Sequence, residues 1–159
     1  MSSTLLLETR PGPRPDTTKR LPHSQLNQHG PKNIILKLHA WAFSLKGVEN
    51  QDSLISVPGS RALVMHSGVE CNEHAFMVGR EFAHIHPHPD YGSMHLMLPA
   101  EDAQEVADKG WGEDHYLVTR GQFSKGLVLV FSPRDERELA TVKTIVKRSY
   151  DWTVGHSVK

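Results

Sequence analysis

The spacing of apolar residues along the chain predicts three helices. Residues 33–45 carry apolar side chains at the helical period, with Asn33 placed to cap the start and Gly47 to end the helix. Residues 99–110 open with a proline and two acidic residues and close with lysine and glycine, which is typical of a helix. Residues 132–150 begin Ser-Pro-Arg-Asp, which predicts a capped start with Ser132 as the cap, and then show one apolar face.

Short apolar runs between these helices predict the strands of a sheet. The runs are residues 61–66, 74–79, 80–86, 93–98, 115–118 and 126–131, whereas residues 48–60 are interpreted as a loop. The last run is apolar throughout, so we expect it in the interior of the sheet. Short connections favour antiparallel pairing. We therefore predict an α+β fold: a single domain with a mostly antiparallel sheet of about five strands and two to three helices packed mainly on one face.

The polar and proline-rich start of the chain shows no apolar periodicity. We interpret residues 1–32 as a flexible N-terminal leader, residues 33–154 as the α+β domain and residues 155–159 as a tail. His23 and His29 fall in this leader, so we expect no role for them.

Composition narrows the possible partners. Lys plus Arg equals Asp plus Glu, so the net charge of zero argues against nucleic acid and against an anionic membrane surface. No apolar run approaches the roughly 20 residues of a membrane span, and the single cysteine, Cys71, fits a reducing compartment. We expect a cytoplasmic protein that acts on a small molecule, with a homodimer left open.

Four of the chain's 11 histidines lie in one stretch, EFAHIHPHPDYGSMHLML, from residue 81 to 98. Side chains alternate along a strand, which predicts that Phe82, His84 and His86 share one face, opposite Glu81. The next strand can bring His95 beside either of the first two histidines, but a slip of one residue would turn His95 away.

One interpretation of this cluster is a metal site. Three imidazoles on one sheet face can hold Zn²⁺ or Fe²⁺ with a water in the open position, and the ligands would be His84, His86 and His95. The sequence lacks the Gly-to-His spacing, the following glutamate and the distal motif of a cupin.

The interpretation that we favour is acid–base catalysis without a cofactor. His84 and His86 would act as acid and base, His95 or His115 would assist, and Glu81 or Asp90 would orient them. Residues near the cluster would hold an apolar, oxygenated substrate, with Arg80 placed for an enolate or a carboxylate. The predicted substrate-binding residues are Arg80, Phe82, Tyr91, Met97 and Trp111.

Other functions find less support in the chain. Cys71 has His74 three residues on, but a catalytic pair requires proximity in three dimensions. The sequence has no Gly-x-Ser-x-Gly elbow and no glycine-rich phosphate loop. A non-catalytic binding domain with a pH-sensitive histidine surface remains a third hypothesis.

Several motifs together resemble a family. These are FMVGREFAHIHPHPDYGSMHLMLP, KGWGEDHYLV and GLVLVFSPRDERELATVKTIVKRSY, and over residues 60–154 they resemble the small bacterial and fungal luciferase-domain proteins. The matching positions are Gly79, Arg80, Glu81, His84, His86, Pro99, Gly110, His115, Ser149 and Tyr150.

The resemblance implies a small enzyme rather than a particular reaction. The family's name suggests light-emitting oxidation, whereas its fungal members resemble accessory enzymes that cyclise, isomerise, lactonise or eliminate in polyketide-type secondary metabolism. No flavin or adenylation motif occurs in the sequence. His88 and His95 are not carried over from the family.

Overall fold

Four of the six predicted strands join in one sheet with two further strands in the computed structural model, which describes residues 4–155. Of the predicted leader and tail, residues 1–3 and 156–159 lie outside the described residues. The elements follow in chain order: α1 (Lys32–Ala42), β1 (Val48–Asp52), β2 (Arg61–Met65), a 3₁₀ turn (Glu73–Ala75), β3 (Glu81–Ile85), β4 (Met94–Met97), α2 (Ala100–Asp108), β5 (Gly112–Asp114), α3 (Tyr116–Thr119), β6 (Leu127–Val130) and α4 (Glu136–Thr153).

The sheet is antiparallel throughout and has the strand order β1-β2-β3-β4-β6-β5. β6 is fully buried and lies between β4 and β5, so the interior position predicted from its apolar run is confirmed. The predicted α+β fold is also confirmed, with six strands and four helices among the described residues.

The main core fills the space between one face of the sheet and the long helices. Ala83 and Ile85 of β3 point to this side and pack with Leu38 of α1 and with Val142 and Ile145 of α4. Burying a Leu, Ile or Val side chain contributes about 1.5–3 kcal/mol to the stability of the fold, so this layer provides much of the driving force for folding. The opposite face of the sheet is left for other segments to cover.

Three predicted elements differ in the structure, each because the pattern was ambiguous. Residues 115–118 are not a strand: His115 caps the short helix α3, since a four-residue apolar run fits either structure. Residues 48–52 form the edge strand β1 instead of a loop. The sequence pattern suggested a loop because the polar side chains of this edge strand are largely exposed and show no alternation of polar and apolar residues. Residues 74–79 form no strand: they overlap the 3₁₀ turn, and Val78 makes only an isolated bridge with Glu81 across Gly79.

The helix boundaries move by a few residues from their predicted positions. α1 begins after Pro31 and ends at Ala42, short of Gly47. α4 begins after Asp135, whose carboxylate accepts from the Glu138 N–H, so Asp135 and not Ser132 is the cap. The Ser132 hydroxyl instead accepts a hydrogen bond from the backbone N–H of Gly30.

A β-bulge in β3 changes which side chains share a face. Ala83 pairs with Leu63, but the next residue of β2, Val64, pairs with Glu81, so Phe82 is left without a partner. Because a bulge interrupts alternation, Glu81 and His84 lie on one face although they are three residues apart. Phe82 turns to the helical side and packs in the main core. The predicted shared face of Phe82 and His84 is therefore wrong.

Residues 5–30, here called the N-terminal strap, begin on the helical side of the sheet, where Leu5 and Leu7 pack in the main core, and continue to the opposite face, where residues 21–24 lie near the histidines. The Arg10 N–H donates to the Lys109 carbonyl, and Thr17 and Gln25 form a β-bridge within the strap. Residues 7–30 of the segment predicted to be a flexible leader are thus bonded to the domain at several points. No helix among residues 4–155 is long and apolar enough to cross a membrane.

Candidate functional site

A cavity of about 630 Å³ lies between the sheet and the strap. Its polar wall is made by five buried histidines and a few neighbouring groups, and its remaining wall is apolar. The lining residues are His23, Ser24, Ser56, His84, His86, Asp90, His95 and His115 on the polar side, with Leu21, Pro22, Ile55, Val57, Met77, Leu117, Phe123 and Leu127 on the apolar side. Among the described residues, no lysine or arginine lines the cavity. Its size and apolar character suit an uncharged small molecule.

The sheet register places His84 directly opposite His95, with Glu81 behind His84. Glu81 Oε2 lies 2.8 Å from His84 Nδ1, and His84 Nε2 lies 3.1 Å from His95 Nδ1. His95 Nε2 then reaches the backbone carbonyl of His23 at 2.9 Å. Since a carbonyl can only accept, His95 Nε2 carries a proton and donates it.

His86 is held by a second carboxylate at the end of β3. Its Nδ1 lies 2.8 Å from Ser93 Oγ and 3.3 Å from Asp90 Oδ2. The Ser93 hydroxyl bonds to the Asp90 carboxylate, so its oxygen is free to accept from His86 Nδ1. Asp90 also accepts from the backbone N–H of Gln25 and from His29. The Nε2 atom of His86 is therefore the ring nitrogen left for the cavity.

His84, His86 and His95, here called the histidine triad, lie side by side, and the inner nitrogens of His84 and His95 face each other. One ring nitrogen from each lies within 4.8 Å of the other two. If the outer nitrogens all donate, three lone pairs converge, and such an arrangement requires a cation or a shared proton between them. The triad can therefore hold either a metal ion or a bridging proton.

The other two histidines of the cavity have fixed tautomers. His115 Nδ1 accepts the Leu117 N–H at the start of α3, so its proton sits on Nε2 when the ring is neutral. His23 Nδ1 accepts the Tyr116 N–H, and His23 Nε2 lies 2.8 Å from Glu113 Oε2. Both nitrogens of His23 are thus engaged, although His23, His95 and His115 also lie close enough together to share an ion.

Burial keeps most of these imidazoles uncharged. Burial and then the neighbouring imidazoles lower the pKa of His86 and of His95 well below the ordinary value. The same causes lower the pKa of His115 to about 4. Burial raises the pKa of Glu81, but hydrogen bonds from His84, the Leu54 N–H and Ser53 outweigh it and leave the pKa below normal. Glu81 is therefore an ionised group behind the triad.

The pKa of Asp90, unlike that of Glu81, stays above its ordinary value. Burial raises the pKa of its carboxyl group, and the hydrogen bonds from Ser93, His29 and the Gln25 N–H offset this only in part. A positive charge among the triad would favour the ionised carboxylate. The two carboxylates, one behind His84 and one behind His86, are therefore the natural counter-charges of the site.

The structure brings all six predicted catalytic residues to one place. His84, His86, His95, His115 and Asp90 line the cavity, and Glu81 lies directly behind His84. His88, the remaining histidine of the sequence cluster, is exposed in the turn after β3 and stacks on Tyr91.

The five predicted substrate-binding residues lie outside the cavity lining. Tyr91 stacks on His88, and Phe82 packs in the main core near the Tyr150 ring. Met97 is buried, and its backbone carbonyl accepts from the Ser149 hydroxyl.

The remaining two of these residues bind backbone carbonyl groups. The Arg80 guanidinium donates to the carbonyls of Met65, His66 and Val69, which fixes the loop after β2. The Trp111 indole N–H donates to the Glu8 carbonyl, and its ring packs in the main core. The structure gives all five a packing or bonding role.

Sequence reasoning missed the part of the site that the strap supplies. Leu21, Pro22, His23 and Ser24 line the cavity, and the His23 carbonyl binds His95. The residue types gave one signal, since two histidines and two glutamines occur close together between residues 23 and 29. Their partners Glu113 and Asp90 are 61 to 90 residues away in the chain, a separation that no local pattern reports.

Comparison with known proteins shows that this chain is similar to members of one family. Residues 79–149 match the model of the Luciferase domain family. A luciferase of Armillaria gallica is 31% identical over 90% of this chain and 59% of the relative's length, and a luciferase of Armillaria mellea matches to the same extent. A luciferase of Neonothopanus nambi is 39% identical over 44% of this chain and 27% of that protein. The chain thus spans about three fifths of the first two relatives, and no solved structure matches it.

Proposed function

Because residues 79–149 belong to the luciferase-domain family, we propose that the protein is a metal-dependent enzyme that oxidises an apolar, oxygenated small molecule. The histidine triad would hold a divalent ion at the polar wall of the cavity, and the substrate would fill the apolar part. Zn²⁺ and Fe²⁺ both suit imidazole ligands, and oxidation favours Fe²⁺ with dioxygen as the oxidant.

The observation that carries this proposal is the anchoring of the outer nitrogens. A metal-bound histidine almost always donates its other ring N–H to a carboxylate, a backbone carbonyl or water. Here His84 faces the Glu81 carboxylate, His95 faces a backbone carbonyl, and His86 faces Ser93 and Asp90. All three ligands have a partner of the expected kind, and their second nitrogens converge.

Distance and charge support the same proposal. An ion at the usual distance of about 2.1 Å from His84 Nε2 and His95 Nδ1 would subtend an angle of about 95°, because the two nitrogens are 3.1 Å apart. That angle is close to the 90° of octahedral coordination, which leaves positions open for substrate and oxidant. Glu81 and Asp90 supply two negative charges behind the ligands, which balance a divalent ion in a buried site.

The cavity and the relatives support the substrate class and the type of reaction. Eight apolar side chains line the cavity and no cationic one does among the described residues, which disfavours phosphorylated or strongly anionic substrates. The relatives are named luciferases, a name that denotes oxidation of a small molecule. Hydroxylated aromatic or polyketide-type products of secondary metabolism have the required apolar and oxygenated character.

Metal content tests the proposal directly. Protein purified without a histidine tag should contain close to one equivalent of iron or zinc, and chelated protein should bind Co²⁺ with a new visible absorption. Single replacement of His84 or His95 by Ala should abolish this binding, whereas His66→Ala, which removes an exposed histidine, should leave it unchanged. Substoichiometric metal, together with no cobalt binding by the chelated protein, would refute the metal-dependent function.

A second function is favoured by the chain of hydrogen bonds from Glu81 to His95. If a proton instead of a metal lies between His84 Nε2 and His95 Nδ1, then His84 is an imidazolium cation paired with the Glu81 carboxylate anion. Such a pair can deliver a proton to a substrate, and a neutral His86 can remove one. This is cofactor-independent acid–base catalysis, suited to cyclisation, lactonisation, isomerisation or elimination.

The two functions separate in a single comparison. Turnover of a substrate by thoroughly chelated protein would support acid–base catalysis, whereas loss on chelation and recovery with Fe²⁺ would support the metal. A pH-sensitive interaction surface finds less support than either, because the imidazoles are buried and face one cavity.

A further inference from the structure

The strap lies outside the segment that matches the family, yet its residues 21–24 line the cavity and the His23 carbonyl bonds to His95 of the histidine triad. We propose that this segment positions the triad. The His23 carbonyl makes His95 bind the ion through Nδ1, and the His23 ring does not bind the ion but holds this carbonyl in place through two hydrogen bonds, here called the latch bonds. The proposal rests on the metal-dependent function. It assigns a role in the site to a part of the chain that the family model does not include.

The His23 carbonyl decides which nitrogen of His95 is available. A neutral imidazole carries its proton on one of two nitrogens, and both forms are accessible when nothing selects between them. The carbonyl lies 2.9 Å from His95 Nε2 and accepts its proton. Nδ1 is then a lone pair directed at His84, whereas the other tautomer would place a proton where the ion must sit.

The His23 ring holds that carbonyl in place. Its Nε2–H donates to Glu113 on β5, and its Nδ1 accepts the N–H of Tyr116 at the start of α3. The ring is buried, with a relative exposure of 2%, so these two bonds are not replaced by water without opening the site. Binding an ion through either nitrogen would break one of them. His23 is therefore a positioning residue, although it lies within reach of His95 and His115.

The same segment also reaches the second carboxylate of the site. The Gln25 backbone N–H donates to Asp90 Oδ2 at 3.2 Å, and the Gln25 side-chain oxygen accepts from the Ser132 N–H. Asp90 in turn faces His86. Two of the three ligands are thus oriented through residues of the strap, which a simple cover over the cavity would not need to do.

Substitutions of His23 separate a positioning role from ligation. His23→Ala removes both latch bonds, and we expect the affinity of chelated protein for Co²⁺ to fall about ten-fold or more, the usual effect of losing a group that orients a ligand. His23→Gln keeps an N–H for Glu113 and an oxygen for the Tyr116 N–H, and should bind Co²⁺ nearly as tightly as the wild type. Leu26→Ala, at an exposed strap position, is the matched control and should have no effect.

Each other result overturns the proposal. Equal and complete loss in His23→Ala and His23→Gln would make His23 a ligand, and wild-type affinity in His23→Ala would make the strap a cover only. If His23→Ala does not fold, Glu113→Ala provides the same test from the other side of the latch. It should lower the affinity by a similar factor, and unchanged affinity there would also overturn the proposal.

A readout without metal distinguishes failure of this proposal from failure of the proposed function. In metal-free protein labelled with ¹⁵N-histidine, long-range ¹H–¹⁵N correlation spectra report the tautomer of each ring. His95 should be protonated on Nε2 in the wild type and in His23→Gln, and should become a mixture of tautomers in His23→Ala. A wild type that binds no cobalt but shows this pattern would refute the metal alone. An unchanged His95 tautomer in His23→Ala would refute the positioning role.

Discussion

At the scale of single residues, the site depends on a carboxylate that does not line the cavity. Glu81 is almost fully buried and accepts three hydrogen bonds, from His84, Ser53 and the Leu54 N–H. A buried carboxylate with this many donors holds its partner ring in one orientation and one tautomer. Its charge also stabilises a cation on the far side of His84.

We predict that Glu81→Gln weakens metal binding about 10- to 100-fold, the range expected for loss of an outer carboxylate. The amide oxygen can still accept from His84 Nδ1, but the negative charge is gone, and the new NH₂ group takes the place of Oε1 and faces the Leu54 N–H, which is a donor. Titration of chelated protein with Co²⁺ measures the effect. Glu49→Gln on the exposed strand β1 is the control, and equal affinities in the two variants would contradict this role for Glu81.

At the scale of elements, the bulge in β3 sorts its residues between two faces. Glu81 turns to the site and Phe82 turns to the helices. We predict that Phe82→Ala lowers the free energy of unfolding by about 3–5 kcal/mol, because it leaves a cavity in the main core. Cobalt affinity should stay within about two-fold of the wild type, since the ring does not line the cavity. Urea denaturation and cobalt titration check the two parts, and a large loss of affinity in folded protein would place Phe82 in the site.

The elements also show what the sequence could predict. Alternation along β3 correctly predicted that His84 and His86 share a face, and the interior position of β6 followed from its apolar run. The register of His95 depends on strand pairing, and the bulge at Glu81 depends on how β2 and β3 fit together. Neither can therefore be predicted from a local sequence pattern. The strap was missed for a related reason. Its stability comes from bonds to distant residues such as Glu113, and it has no periodicity of its own.

At the scale of the whole molecule, building the site inside the fold makes folding depend on pH. Burial lowers the pKa of His86, His95 and His115, whereas the same residues in the unfolded chain titrate near 6.5. Between these values the unfolded chain binds more protons than the folded protein does. Stability therefore rises with pH across this window and is lost as pH falls from about 6.5 towards 4. Asp90, whose pKa is raised, has the opposite effect on the pH dependence of stability, but it is one group and the histidines are three.

We therefore predict that metal-free protein unfolds at a lower urea concentration at pH 5.5 than at pH 7.5, because the unfolded histidines take up protons that the folded ones exclude. His115→Asn provides a matched variant, since asparagine can also cap α3 but does not titrate. Its urea midpoint should change less between the two pH values than that of the wild type. Equal midpoints at both pH values for the wild type would mean that the buried imidazoles accept protons in the folded state. The site would then carry charge without an ion, which would favour the bridging proton over the metal.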